Sequence, residues 1–168
     1  MELTEYRYAT LLVSASQSFV KTLQALLPTS VYDPISVRCD AASARRALLE
    51  NRFDIVIVNT PLPDEFGTAL ALDACADSGA GVLLLVRAEL FPQVNEQASP
   101  GGVLTLPKPL SQTLVSQSLT LLRGTRERLR KMEQKTASME EKMEEIRLVN
   151  RAKWILIDEL KMTEKEAH

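Results

Sequence analysis

The sequence predicts an α/β protein: a five-stranded, doubly wound parallel sheet followed by a long C-terminal helix. Three observations carry this reading. Short apolar runs rich in Val, Ile and Leu alternate with helix-like segments through the front part of the chain, the pattern of βαβ units whose strands are covered on both faces. All eight prolines and all six glycines lie at or before Gly124. From there to His168 the chain is dense in Glu, Lys, Arg and Met, as a long helix without breakers requires.

Taken in order, residues 9–13 read as the first strand, residues 18–27 as a helix stopped by Pro28, and Ile35–Arg38 as a short strand. Asp40 is a good N-cap for a helix over Ala41–Glu50, and Asn51 suits a left-handed residue closing it. Residues 54–58 and 81–86 are strongly β-like and bracket a helix around 69–76. A turn-rich stretch with Pro92, Pro100, Gly101 and Gly102 makes the fourth helix weak, and residues 103–106 form the last strand. Ser111 caps a helix that begins at Gln112 and continues into the charged tail, with Gly124 the point for a break.

Composition bounds the function. The chain has 168 residues, 45% hydrophobic and 5% aromatic, enough for one α/β core with an appendage. Its net charge of -2 advertises no global nucleic-acid field, but the halves differ in sign: residues 123–168 hold 12 Lys/Arg against 10 Asp/Glu, and the front part holds 8 against 12. Cys39 and Cys75 lack CxxC spacing and His168 is the only histidine, so neither a metal site nor a disulfide framework is expected, and no cofactor is implied. There is neither a signal-peptide pattern nor an apolar run long enough to span a bilayer. The expectation is a soluble protein of the cytoplasm with no membrane partner.

The most telling segment is Asp54-Ile-Val-Ile-Val-Asn59-Thr-Pro-Leu-Pro-Asp-Glu-Phe-Gly67. It reads as a buried strand that delivers one polar side chain, Asn59, to its carboxyl end, where ligands bind in open α/β sheets. With Leu106-Pro107-Lys108-Pro109, it makes residues 8–122 resemble the receiver domain of bacterial two-component response regulators. The resemblance implies a flavodoxin-like sheet. It also implies an Mg²⁺-binding acidic pair after the first strand, a phosphate-accepting Asp after the third, a hydroxyl residue ending the fourth and a lysine after the fifth. The matching positions are Ser14 and Ala15, Asn59, Val86, and Lys108. Only the lysine survives. An amide is a poor nucleophile, and Ser with Ala supplies no anionic oxygen for Mg²⁺, so phosphoryl transfer is expected to fail and no enzymatic activity is implied. Thr105 replaces the aromatic that usually switches in this family. Lys108 either hydrogen-bonds the Asn59 carbonyl or is a solvated lysine beside a rigid turn. Control by a regulatory protein partner or by dimerisation is the expectation; the rival is a phospho-responsive switch with an unconventional acceptor such as Asp64.

Beyond the receiver-like part, Leu122, Leu129, Met132, Met139, Met143 and Ile146 fall on heptad a/d positions interrupted by Thr125 and Thr136. This predicts a parallel two-stranded coiled coil joining a homodimer. About 44 residues of helix would extend roughly 66 Å, too long to hide against one small domain, although a single amphipathic helix packing on its own receiver is the alternative. Arg151-Ala152-Lys153, then Ile155-Leu156, and Met162-Thr163-Glu164 to Glu166-Ala167-His168 resemble the ANTAR module of transcription antitermination regulators. That resemblance implies binding to paired hairpins in nascent RNA by a three-helix bundle, of which the first helix and the start of the second are present. Thr163 and Glu166 make a capping box that announces a new helix two residues before the sequence ends, so further residues are expected, or a natural truncation. Trp154 stands where the family commonly has Gly. It shares a helix face with Arg147, Asn150, Arg151 and Asp158, and either stacks on an RNA base or packs under the third helix or a dimer partner; Arg151 and Lys153 either meet RNA or are solvated. The predicted organisation is a pseudo-receiver at 1–122, a coiled-coil linker at 123–145 and a partial RNA-binding module at 146–168, with a scaffold for other proteins or DNA as the rival.

Overall fold

The computed structural model describes residues 5–160. Five strands, β1 (Thr10–Val13), β2 (Ile35–Arg38), β3 (Ile55–Asn59), β4 (Gly81–Arg87) and β5 (Leu104–Lys108), form one sheet in the order β2-β1-β3-β4-β5, all neighbours parallel. Between them run α1 (Gln17–Ala25), α2 (Ala41–Glu50), α3 (Thr68–Ser78) and α4 (Phe91–Ala98), and α5 (Gln112–Leu160) follows. The doubly wound sheet and long final helix are thus as the alternation of runs predicts.

Both faces of the sheet are covered, which is why its central strands are apolar at nearly every position. Leu11, Val13, Val56, Val58, Leu84 and Val86 meet Ala44 of α2, Leu70 and Ala74 of α3, and Val94 of α4. Leu12, Ile55, Ile57, Leu83 and Leu85 meet Leu23 of α1 and Val115, Leu119 and Leu122 of α5. Leu122 is buried in this core, and a Cβ added to Gly81 would stand 3.1 Å from the Leu122 Cβ. Its place in a dimer seam is therefore corrected: the spacing Val115, Leu119, Leu122, Arg126 is an i, i+4, i+7, i+11 stripe that α5 turns toward its own sheet.

Local chemistry sets the boundaries. Asp40 accepts the Ser43 N–H at 2.7 Å and starts α2 as foreseen. Asn51, however, closes that helix in an extended conformation, φ -136°, not the left-handed one. Ser16, unforeseen as a cap, accepts the Phe19 N–H and starts α1 one residue early. β5 begins and ends later than 103–106, carrying Lys108 into the sheet, where it pairs with Arg87. Gly124 does not break α5; the helix is continuous over 49 residues.

The described residues up to Glu127 form one compact unit, and those from Arg128 onward a second. In the second, Leu129, Met132, Met139, Met143 and Ile146 are all exposed. No described helix is long and apolar enough to cross a membrane. The capping box at Thr163 and Glu166 lies outside the described residues.

Candidate functional site

Pleating decides which side chains meet at the carboxyl edge of the sheet. β1 and β3 pair through Val13 and Val58, so the next residues, Ser14 and Asn59, come side by side. Asn59 is in register with Leu85, and two residues further Arg87 is in register with Lys108. Side chains two apart share a face. Ser14, Asn59, Arg87 and Lys108 therefore follow Leu12, Ile57, Leu85 and Leu106, the face covered by α1 and α5. Val86 points the other way and is fully buried with Val13 and Val58. The expectation that Val86 occupies the strand-end position is corrected: that place belongs to the exposed Arg87.

Three of the expected residues are joined by a chain of hydrogen bonds. The Lys108 ammonium donates to Asn59 Oδ1 at 2.9 Å and to the Thr60 carbonyl at 2.6 Å. Asn59 Nδ2 donates to Ser14 Oγ at 3.1 Å, and Ser14 Oγ also accepts the Ser16 N–H at 3.1 Å. Of the two readings of Lys108, the hydrogen-bonded one holds. Burial, and then the neighbouring Arg87 charge, push the Lys108 pKa below the ordinary lysine range. Ala15 is exposed and adds no side-chain oxygen.

A divalent cation does not fit this set of groups. Mg²⁺ demands hard oxygens in near-octahedral array, usually including one or two carboxylates. Here the Asn59 oxygen already faces an ammonium, the Ser14 oxygen accepts two N–H groups, and among the described residues no carboxylate is hydrogen-bonded to them. Asp64, the alternative phosphate acceptor, is engaged elsewhere: its two oxygens accept the Ala41 and Ala42 N–H groups at 2.9 Å each, pinning the loop after β3 to the start of α2. Those donors hold its carboxyl below the usual range. Thr105 lies on the opposite face with Leu84, buried, and its hydroxyl finds no partner among the described residues.

At the other end of β3 stands a pair that sequence reasoning missed. Asp54 is buried, accepting the Arg126 Nε at 3.1 Å, the Tyr6 hydroxyl at 3.0 Å and the Ala9 N–H at 3.0 Å. Arg126 also lies 3.5 Å from the Gly79 carbonyl. Its signal was available: Arg126 continues the buried stripe of α5, and a charge on such a stripe demands a partner.

In the second unit, Arg147, Arg151 and Trp154 are exposed, Trp154 at 71%, and Lys153 is half-buried. Arg151, Trp154, Ile155, Ile157, Asp158 and Glu159 line one shallow depression.

Comparison with solved structures sorts these observations. The chain is similar to the signal receiver domain of an HD-domain-containing protein from Pseudomonas fluorescens, at 23% identity and a TM-score of 0.64 over 80% of this chain and 97% of that one. The fold is that of a response-regulator receiver. It is also similar to the chemotaxis response regulator CheY4 of Vibrio cholerae, at 20% identity and a TM-score of 0.60 over 70% of this chain and 99% of that one. A structure described as adenylate cyclase from Rhodopirellula baltica matches at 18% identity and a TM-score of 0.70, over 79% of this chain and 98% of that one. No protein-family model and no curated protein matches the chain. On this fold, the Lys108–Asn59–Ser14 hydrogen-bond chain lies at the carboxyl edge of the sheet.

Proposed function

We propose that this chain is a dimeric, non-enzymatic transcription antitermination regulator of the bacterial cytoplasm. A receiver fold that is not phosphorylated is governed by dimerisation or by a protein partner, and the C-terminal helix carries the first part of an ANTAR module that binds hairpins in nascent RNA. The observation that carries the first half is the Lys108–Asn59–Ser14 chain: an amide tied at both ends occupies the place of the phosphate acceptor. Purified protein incubated with acetyl phosphate and Mg²⁺ is expected to take up no label on Asn59 or Asp64. Stoichiometric labelling that disappears in Asn59→Ala or Asp64→Asn would refute this.

Support for the second half is the exposed face with Trp154 and Arg151 beside Arg147. Unpaired loop bases stack on aromatic rings and guanidinium planes while phosphates seek the cations. Full-length protein is expected to shift a two-hairpin RNA in preference to duplex DNA at the same salt concentration. Base stacking contributes about 1–3 kcal/mol per base, so Trp154→Ala is expected to weaken RNA binding roughly fivefold to a hundredfold. Equal affinity for the DNA, or an unchanged affinity in both Trp154→Ala and Arg151→Ala, would favour a general scaffold instead.

A further inference from the structure

The row of apolar side chains on the second unit's part of α5 does not stop at Ile146. Continued in the same alternation of three and four residues, it passes through Asn150, Lys153, Ile157 and Leu160. Leu160 and Asn150 are exposed, and Lys153 and Ile157 are half-buried. A lysine on such a row lays its aliphatic stem along the apolar surface and keeps its charge in water. An asparagine is different: its amide both donates and accepts, so an apolar surface leaves it unsatisfied and a second amide satisfies it.

The two flanks of the row carry opposite charge where it begins. Arg128, Lys135 and Lys142 border it on one side and Glu133, Glu140 and Arg147 on the other, all of them exposed. When two such helices lie parallel and in register, a residue on the first flank meets the residue five places on along the second flank of the other helix. Arg128 then meets Glu133 and Lys135 meets Glu140, each pair twice by symmetry. The next pair, Lys142 with Arg147, is like-charged, and Glu144, 3.8 Å from Arg147 on its own helix, offsets it. Antiparallel helices bring like flanks together, cation on cation and carboxylate on carboxylate. Sliding one parallel helix by seven residues sets Lys135 against Arg147 and turns Asn150 toward Met143 or Ile157.

We infer that this face takes a second copy of the chain, parallel and in register, and that Asn150 with the Lys135–Glu140 and Arg128–Glu133 pairs selects that arrangement. The inference rests on the dimer half of the proposed function and adds to it the orientation, the register and the residues that set them. Asn150 meets its own counterpart across the seam, at some cost in stability and with a gain in specifying two strands. The seam therefore runs on to Leu160, beside the face of Arg147, Arg151 and Trp154, and holds the two copies of that face level with each other.

The test is a charge exchange followed by sedimentation equilibrium of the full-length protein, without RNA and at low salt. Lys135→Glu and Glu140→Lys are each expected to raise the dimer dissociation constant about fivefold to thirtyfold, because two attractive contacts become two repulsive ones. The variant carrying both changes restores the opposite charges and is expected to return to within about twofold of wild type. Asn150→Leu is expected to tighten association by about tenfold or more and to give assemblies heavier than two 18.7 kDa chains, since the amide that selects two strands is gone. A wild-type dimer in which the double variant is no tighter than either single one overturns the parallel register while dimerisation stands. Association weakened or unchanged in Asn150→Leu takes Asn150 out of the seam. A wild-type chain that stays monomeric overturns dimerisation itself, and this arrangement with it.

Discussion

Replacing Arg126 with alanine is expected to destabilise the receiver unit by about 3–5 kcal/mol, the cost of leaving a buried charge without its partner. The Arg126 and Asp54 side chains are only 8% and 9% exposed, so solvent does little to screen the lost contact. After the change, the Asp54 carboxylate keeps the Tyr6 hydroxyl and the Ala9 N–H, but these are neutral donors and cannot replace a guanidinium. The pair sits at the amino end of β3 and ties it to α5, opposite the edge that holds Asn59. Its loss therefore loosens the attachment of α5 to the sheet without touching Lys108, Asn59 or Ser14. Urea unfolding of wild type, Arg126→Ala, Asp54→Ala and the double variant measures this. The double variant is expected to be less destabilised than the two single effects added together, because neither charge remains buried alone. A loss below about 1 kcal/mol for Arg126→Ala, the range of an exposed pair, would show that the ion pair contributes little.

The sheet was legible because its information is local. Five apolar runs separated by helix-length spacers leave few parallel arrangements open, and β2 and α2 fall where Ile35–Arg38 and Ala41–Glu50 were expected. The site was legible in part. Asn59 and Ser14 each follow an apolar run by one residue, and Lys108 follows Leu106 by two on the same face, so all three reach the same edge, which the sequence displays. Val86 was misplaced by one residue because a boundary error of that size reverses the face of a strand; had β4 been counted to its end, Arg87 would have taken the position. Leu122 was misread for a related reason, and Arg126 was passed over. A heptad stripe and the inner stripe of an ordinary amphipathic helix have nearly the same spacing, and only the partner surface tells them apart. The Asp54–Arg126 pair spans 72 positions of sequence, so the charge on the inner stripe of α5 calls for a partner without saying which residue it is.

The exposed remainder of the stripe leads to the second large effect. Leu129, Met132, Met139, Met143 and Ile146 recur at alternating intervals of three and four, with Thr136 filling one place, and all five are exposed on α5. A line of large apolar side chains over several turns is the pattern that a second helix buries in a left-handed supercoil. In a parallel dimer each methionine meets its own copy across the seam, so a charge placed there faces an identical charge in a desolvated layer. Met139→Glu with Met143→Glu is expected to raise the dimer dissociation constant by more than about a hundredfold, taking a buried, uncompensated charge to cost about 3 kcal/mol or more. Sedimentation equilibrium would then report the 18.7 kDa chain in place of twice that mass. The urea transition of the receiver unit is expected to stay where it is, because neither methionine belongs to its core. Under the proposed RNA-binding role, RNA affinity is expected to fall together with dimerisation, because separated copies of the Trp154 face would lose the gain from tethering. A wild-type chain that sediments as a monomer at high concentration would remove the coiled coil from the proposal, and a variant that stays dimeric would move the interface to another surface.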